Sequence, residues 1–323
     1  MVDTNIEAII VKKFGQFRRS KGKQGPEYIV RCPFCGKRNK MYINPLQGIY
    51  HCFRCEKGGS MSSLLGQDVF NSAPVIKPPP APLPTNVPPP GALVPLTELD
   101  DNHPAIVYLT HRGFDPRELS EVFGVRYCVT GKLCAGIYNT SNTLIFPLWM
   151  NGKLIGWQSR LLYTPDKMTD QECEDMGFIK DEDGDFVKPP KYWTSGGITK
   201  GRIFFNNDWA RQSDVVVVCE GTFDAMAVGK CGVATLGKGI AEHQIRMLMA
   251  YWKVVVLLLD PGDADEQMDV LDLPRLHRVM KVVRVDLKGY KDAGEAPRSE
   301  IWKQIWDSSA AAEVDLNNYK VVI

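Results

Sequence analysis

Apolar residues in the second half of this chain fall into short continuous runs. Residues 215–218 are four consecutive Val, followed by Cys219-Glu220-Gly221. A short β-branched run of this kind predicts a strand covered on both faces, as in a parallel sheet between helical layers. Residues 254–259 (VVVLLL) repeat the pattern and end in Asp260-Pro261-Gly262-Asp263-Ala264-Asp265. Residues 282–287 predict a third strand, which precedes Lys291-Asp292-Ala293-Gly294-Glu295. Each strand therefore delivers acids at its C-terminal end, where open α/β sheets place their ligands. Collected on one sheet edge, such acids make an all-oxygen site for a hard cation such as Mg2+ or Mn2+.

Elsewhere the periodicity changes. Ile6, Ile9, Ile10, Val11 and Phe14 predict an amphipathic helix over 5–17. Residues 28–31, 40–44 and 48–51 read as short strands. Residues 105–110 form an amphipathic run, and Asp115-Pro116 is a helix start with Asp at the N-cap and Pro at N1. Strands are predicted at 125–129, 143–150, 154–162 and 203–205, with Asn151-Gly152 as the hairpin turn between the second and third. A helix over 225–230 and a short strand over 233–235 follow the Val run. Ile301, Ile305 and Trp306 predict a helix over 301–312 with those three on one face, and 319–323 a closing strand.

Composition and length set the organisation. The 323 residues carry a net charge of +1 and are 44% hydrophobic, as in a soluble globular protein of about two domains. No apolar run approaches the roughly 20 residues of a membrane helix, and the N-terminus lacks a secretory h-region. Residues 73–95 (APVIKPPPAPLPTNVPPPGALVP) read as a polyproline spacer. The expected divisions are 1–66, a small N-terminal module; 67–98, the linker; 99–212 and 213–298, two parts of a larger core; and 299–323, a terminal helix and strand. Residues 166–188 are acidic and turn-rich, an expected exposed insertion in which Cys173 has no evident role.

Charge and cysteine usage single out the N-terminal module. Residues 1–65 hold twelve Lys and Arg against four Asp and Glu, an imbalance that points to a nucleic-acid partner. A solvated basic face is the plain alternative. Of nine Cys, four form two C-x2-C pairs, Cys32/Cys35 and Cys52/Cys55, sixteen residues apart. Two such pairs supply four thiolates for one structural Zn2+ in a reducing compartment. So small a module is expected to lack a core and to draw folding free energy from the metal. His51, beside Cys52, reads as a neighbour of the site or a nucleic-acid residue. Phe34, Tyr42, Tyr50 and Phe53 lie among Lys and Arg, and either stack on bases or form a miniature core.

Basic residues in the middle of the chain, Arg160, Lys191, Lys200 and Arg202, are candidates for a groove that holds triphosphate and nucleic-acid backbone; each alone reads equally as a surface cation. One motif is a decoy. Residues 232–239 (GVATLGKG) fit G-x4-G-K but carry Gly239 where a P-loop needs Ser or Thr. No other P-loop occurs, so a helicase motor is not expected in this chain.

Together these features resemble DnaG-type primases, and most closely the primase half of phage primase-helicases. CPFC…YHCFRCEKGGS is similar to the zinc ribbon of that family, although Cys35 stands where bacterial members have His. AIVYLTHRGF, IFPLWMNGKLIGWQSR and PKYWTS…KG resemble elements of its RNA-polymerase core. VVVVCEGTFDAM resembles the glutamate motif of its TOPRIM fold, ATLGKGIAEHQIRML the segment between acids, and KDAGE the last acid motif. DPGDADE departs from the family's Asp-x-Asp by about two residues. The resemblance implies a multidomain α+β and α/β architecture: a zinc ribbon, a Pro-rich linker and an α/β primase core with a TOPRIM parallel sheet.

The implied activity is synthesis of short RNA primers from NTPs on single-stranded DNA, by metal-dependent nucleotidyl transfer during DNA replication. The implied cofactors are one structural Zn2+ and catalytic Mg2+ or Mn2+. Glu220, Asp260 and Asp263 are the expected catalytic acids, with Asp265 competing for the place of Asp263. Asp260, Asp263 and Asp292 bind metal. Glu220 either binds metal or acts as general base, and Asp224 either joins the metal shell or merely favours a helix N-terminus. Arg160, Lys191, Lys200 and Lys238 are the expected nucleotide and DNA contacts. Any replicative helicase would be a separate polypeptide, no membrane is involved, and the setting is a bacterial or phage-infected bacterial cytoplasm. The competing readings are another TOPRIM enzyme, nuclease or topoisomerase-like, and a non-catalytic zinc-dependent replication factor.

Overall fold

The computed structural model describes residues 4–22, 25–45, 48–55, 57–65, 83–85, 87–133, 138–139, 142–164, 167–175, 178, 180, 184–186, 188–237, 239–259 and 276–323. The chain forms two compact units, Met1–Ala81 and Pro82–Ile323. Among the described residues, no helix is long and apolar enough to cross a membrane.

The first unit is an antiparallel sheet flanked by two helices. Helix α1 (Thr4–Phe14) precedes strands β1 (Arg18–Gly22), β2 (Gly25–Val30), β3 (Met41–Asn44), β4 (Ile49–Cys52) and β5 (Gly58–Ser60), then helix α2 (Met61–Leu65). The strands form an antiparallel sheet in sequence order. The expectation that this module lacks a core is corrected. Ile10 of α1 and Met61 of α2 pack with Tyr28, Met41 and Ile43 of the sheet, all essentially inaccessible to solvent. The helices supply the apolar cover that a bare ribbon would lack. Glu7 on α1 adds a polar tie, accepting from the Tyr28 hydroxyl at 2.8 Å and pairing with Arg19.

The second unit contains two sheets. Strands β6 (Gly91–Pro95), β7 (Arg126–Leu133), β9 (Thr143–Met150), β10 (Lys153–Leu161) and β11 (Tyr192–Thr194) form an antiparallel sheet in the order β11-β10-β9-β7-β6, with β8 (Tyr138–Asn139) on β7. Strand β6 lies within the stretch expected to be linker. Two contacts explain its order: Leu93 packs against Cys128, Ile145 and Trp157, and the Trp157 indole donates to the Pro88 carbonyl at 2.9 Å. Asn151 and Gly152 both adopt positive φ, as a tight hairpin turn requires. Both turn amides donate to Asp208 of the short helix α6 (Asn207–Ala210), at 2.9 and 2.7 Å.

The second sheet is parallel, ordered β13 (Gly232–Ala234), β12 (Val215–Cys219), β14 (Val254–Leu257), β15 (Lys281–Arg284). Every residue of β12 is buried. Val215, Val217 and Cys219 point into a cluster with Phe223, Ile301 and Trp302, whereas Val216 and Val218 point into another with Phe204, Ile245, Leu248 and Trp252. Alternate residues thus serve opposite layers, which is why the run has no polar alternation. One layer holds α7 (Thr222–Val228) and α9 (Arg298–Ala311), and the other holds α8 (Glu242–Tyr251).

Helices α3 (Pro104–His111) and α4 (Pro116–Glu121) precede β7, and Asp115 caps α4 by accepting from the Arg117 amide at 2.8 Å. Arg298, at the start of α9, joins these layers. Its guanidinium donates to the carbonyls of Ala227 and Met226 at the end of α7 and pairs with Glu118 of α4 at 2.7 Å.

Four expectations change. Residues 203–205 are not a strand; Phe205 makes a single antiparallel bridge to Ala234. The terminal 319–323 forms no strand, because the Lys320 and Val322 amides donate to the side chains of Asp214 and Ser213 rather than to a backbone ladder. On α9 Trp302 is buried with Ile301 and Ile305, while Trp306 is 36% exposed, since the buried stripe continues to Ser309. The acidic insertion contains helix α5 (Asp170–Asp175), whose Cys173 is fully buried and anchors it.

Candidate active site and zinc centre

The four thiols come together through two knuckles, one after β2 and one at the end of β4. All four Sγ atoms lie within 4.8 Å of one another, with Cys32–Cys55 at 3.7 Å and Cys35–Cys52 at 3.9 Å. A tetrahedron with Zn–S bonds of about 2.3 Å has edges of about 3.8 Å, so the cage fits that ion. The thiols differ in acidity. Burial pushes Cys32 up to about 12. At Cys52 the effect of burial is outweighed by hydrogen bonds from the Cys55 and Arg54 amides and from neighbouring thiols, which bring it down to about 7. Amides aimed at sulfur favour the thiolate that a metal needs.

His51 is outside this cage, with its ring 4.8 Å from that of Phe53. The aromatic set divides. Tyr50 belongs to the core, whereas Phe34 is 49% and Phe53 68% exposed. Tyr42 packs edge-on to Phe53 at 5.0 Å, and Lys57 lies 5.5 Å over Phe34.

In the second unit, Glu220 follows the last residue of β12, and Asp224 lies in the first turn of α7. Asp224 holds two segments together. Its Oδ2 accepts from the Gly221 amide at 3.2 Å and its Oδ1 from the Gly294 amide at 2.8 Å. Asp292 precedes the 3-10 turn Ala293–Glu295, and its Oδ1 is buried without a hydrogen-bond partner. Asp260, Asp263, Asp265 and Lys238 lie outside the described residues. Among the described residues the cysteines are the sole group of three or more potential metal ligands; Glu220, Asp224 and Asp292 alone do not make a second.

Of the basic groups, Arg112 lies beside Asp224 and Asp292, and Arg160 is joined to Arg112 through Tyr108. Arg160 of β10 is 2% exposed, and its Nη2 donates to the Tyr108 hydroxyl at 2.5 Å. Its Nε and Nη1 are buried and have no hydrogen-bond partner. The guanidinium lies 4.8 Å from the Tyr192 ring centre. Arg112, after α3, stacks 4.4 Å from the Phe223 ring, donates to the same Tyr108 hydroxyl at 3.3 Å, and also has a buried, unpartnered Nε. Lys191 is half-buried; burial lowers its pKa, and the positive charges of Arg160, Arg112, Lys291 and Lys167 lower it further. Lys200 is exposed on the 3-10 turn Lys200–Arg202.

Gly294 marks where acids and bases meet. A Cβ at this residue would lie 3.0 Å from Asp224 Oδ1, 3.2 Å from Arg112 Nη2 and 3.4 Å from Asp292 Oδ1. Sequence reading did not select Arg112, Tyr108, Tyr192, Lys167 or Lys291 as site residues. The available signal was the Arg-Gly pair closing an amphipathic helix and the Lys directly before Asp292.

Comparison with known proteins identifies the class first. Residues 3–70 match the CHC2 zinc finger of the DnaG zinc-ribbon type. This segment is a zinc finger of that type, and its four cysteines form the zinc site.

Beyond it, the chain is similar to DNA primases. It is 23% identical to the DNA primase of Campylobacter jejuni over 296 residues, covering 75% of this chain and 46% of that protein. It is 40% identical to the DNA primase of Listeria monocytogenes over 60 residues, 18% of this chain and 9% of that one. The chain thus spans about half the length of the first relative and a small part of the second. The crystal structure of the zinc-binding and RNA-polymerase domains of the Aquifex aeolicus primase aligns with 95% of this chain and 83% of its own, at 19% identity and a TM-score of 0.46.

Proposed function

We propose that this chain is a DNA primase, joining ribonucleotides into short primers on single-stranded DNA. The observation that carries the reading is the meeting of unsatisfied opposite charges at Gly294. A buried carboxylate oxygen of Asp292 without a partner accepts a cation, and buried guanidinium nitrogens without partners accept an anion. Burying such groups unpaired is costly, so a site that retains them is built for a ligand. A metal-bound nucleoside triphosphate carries both charges. The similarity to curated primases and the DnaG-type zinc finger support the same reading.

Bond formation joins the primer 3′-oxygen to the α-phosphorus, while the bond from that phosphorus to the bridging oxygen breaks. Pyrophosphate leaves with the bonding electron pair, and the hydroxyl proton passes to a base, the role assigned to Glu220. Arg160, Arg112 and Lys191 hold the phosphates and offset their charge. Lys200 and Lys238 are assigned to the nucleic-acid backbone. Asp292 and Glu220, with Asp260 and either Asp263 or Asp265, would hold Mg2+ or Mn2+. Once bound, such ions stabilise the attacking oxygen and the charge on the phosphates. Asp224, with each oxygen engaged by an amide, keeps Gly221 and Gly294 in register beneath them.

The zinc unit is assigned to the template, with exposed Phe34 and Phe53 available to stack on bases. Any helicase partner lies outside this sequence. The test is incorporation of labelled NTPs on single-stranded DNA by the wild type and by Glu220→Gln. The wild type should make primers, and the variant should make none while binding DNA normally. A shortened template with no incorporation would assign the acids to a nuclease instead.

A further inference from the structure

We infer that Tyr108 is a positioning residue whose hydroxyl holds Arg112 and Arg160 together as one receptor for the triphosphate of the incoming nucleotide. The inference rests on the reading above. The hydroxyl oxygen accepts from both guanidiniums, from Arg160 Nη2 at 2.5 Å and from Arg112 Nη1 at 3.3 Å. The two arginines come from distant parts of the chain, one closing α3 and the other in the middle of β10. Neither pairs with a carboxylate among the described residues.

A buried and a half-buried guanidinium of like charge repel, and Lys191 adds to the charge there. A carboxylate between them would relieve that repulsion but would also cancel the charge that attracts a phosphate. A neutral hydroxyl avoids this. It satisfies one N–H on each guanidinium and leaves Arg160 Nε and Nη1 and Arg112 Nε free for an anion. Aromatic faces supply the rest of the support. Tyr108, Tyr192 and Phe223 lie 5.7, 4.8 and 5.8 Å from the Arg160 guanidinium. Rings hold guanidinium planes by cation–π attraction without competing for their N–H groups. Tyr108 lies on α3 four residues before Arg112, the residue that caps this helix, so helix geometry fixes the spacing of acceptor and donor.

The test is Tyr108→Phe, which keeps the ring and removes the shared acceptor. Inorganic triphosphate is the probe, titrated calorimetrically at fixed ionic strength, with primer synthesis measured alongside. Affinity for triphosphate should fall about tenfold, the scale of one hydrogen bond to a charged group. The KM for NTP should rise similarly, with kcat within about twofold. In an Arg112→Ala background the same substitution should have less than half its effect, because coupled residues are non-additive.

Unchanged triphosphate affinity overturns the inference, as does full additivity with Arg112→Ala. A loss in kcat with KM unchanged also overturns it. If Tyr108→Phe does not fold, Tyr108→His keeps an aromatic ring while displacing the acceptor. Its triphosphate affinity must also fall, and wild-type affinity in either folded variant refutes the idea. Wild-type protein that binds triphosphate in a Tyr108-dependent way but makes no primers would refute the primase reading and leave this one intact. Primer synthesis and triphosphate binding indifferent to Tyr108 would do the reverse.

Discussion

The zinc cage and the acid–base site at Gly294 are opposite solutions to placing reactive groups. In the cage, four thiols from two nearby knuckles face one another at tetrahedral spacing, and backbone amides support the sulfurs. Every ligand has its place and no position is left over, as in structural metal sites. At Gly294 the groups come from the end of α3, α7 and the turn after β15, with Arg160 of β10 joined through Tyr108, and several are left without partners. The first site completes itself with one ion. The second is left open by its unpartnered atoms. Closure suits a site to stabilising, and residual unsatisfied polarity leaves a site able to take a ligand.

Removing the ion should produce the largest separation between the two. Chelation of zinc, or Cys52→Ser, should unfold the Met1–Ala81 unit, since structural zinc contributes about 10 kcal/mol or more of apparent binding free energy. The packing of Tyr28, Met41 and Ile43 is not expected to hold it unaided. Circular dichroism and a protease-resistant fragment beginning near residue 82 would show it. Retention of the first unit's tertiary signals in chelator would remove the contrast.

Asp292→Asn should act in the reverse sense. It removes a buried charge whose Oδ1 lacks a partner, so thermal stability should hold or rise while primer synthesis falls roughly hundredfold, the scale of one well-placed electrostatic group. Parallel loss of stability and activity would make Asp292 a structural residue.

Gly294→Ala tests how tightly the two charge sets are joined. The added methyl meets Asp224, Arg112 and Asp292 at 3.0 to 3.4 Å, so a destabilisation of about 1–3 kcal/mol and weaker nucleotide use are expected. Denaturant melts and KM values would measure both.

Phe53→Ala should be the mildest. This ring is 68% exposed, so stability should stay within about 0.5 kcal/mol, while single-stranded DNA affinity drops about tenfold if the ring stacks on a base. Unaltered binding would assign Phe53 to packing with Tyr42 alone.

The same contrast explains what was legible in the sequence. Cys pairs, the Val run, the Asp115 cap and the Asn151-Gly152 turn are local signals, carried by residues within a few positions of one another. The structure places the cage, strand β12, α4 and the hairpin where those signals indicate. Strand β6 was hidden because prolines dominate the segment around it, and its order comes from Trp157 some seventy residues away. Cys173 was hidden by the acids around it. Tyr108 lay inside a recognised amphipathic run and Arg112 just after it, but their roles depend on β10 folding back against that helix. Local chemistry predicts a self-contained site well. A site assembled from unpaired charges becomes visible only once the chain is folded.

Arg298 has a mechanical consequence. One guanidinium secures the last carbonyls of α7 and grips Glu118 on α4. A hinge opening between the α4 side and the parallel sheet would have to release the Arg298–Glu118 pair, while the two bonds to α7 keep the guanidinium fixed on the sheet side. Small fluctuations on the two sides are therefore expected to be correlated, so hydrogen exchange in α4 and α7 should slow or quicken in step. A core fastened this way behaves as an anvil rather than a jaw.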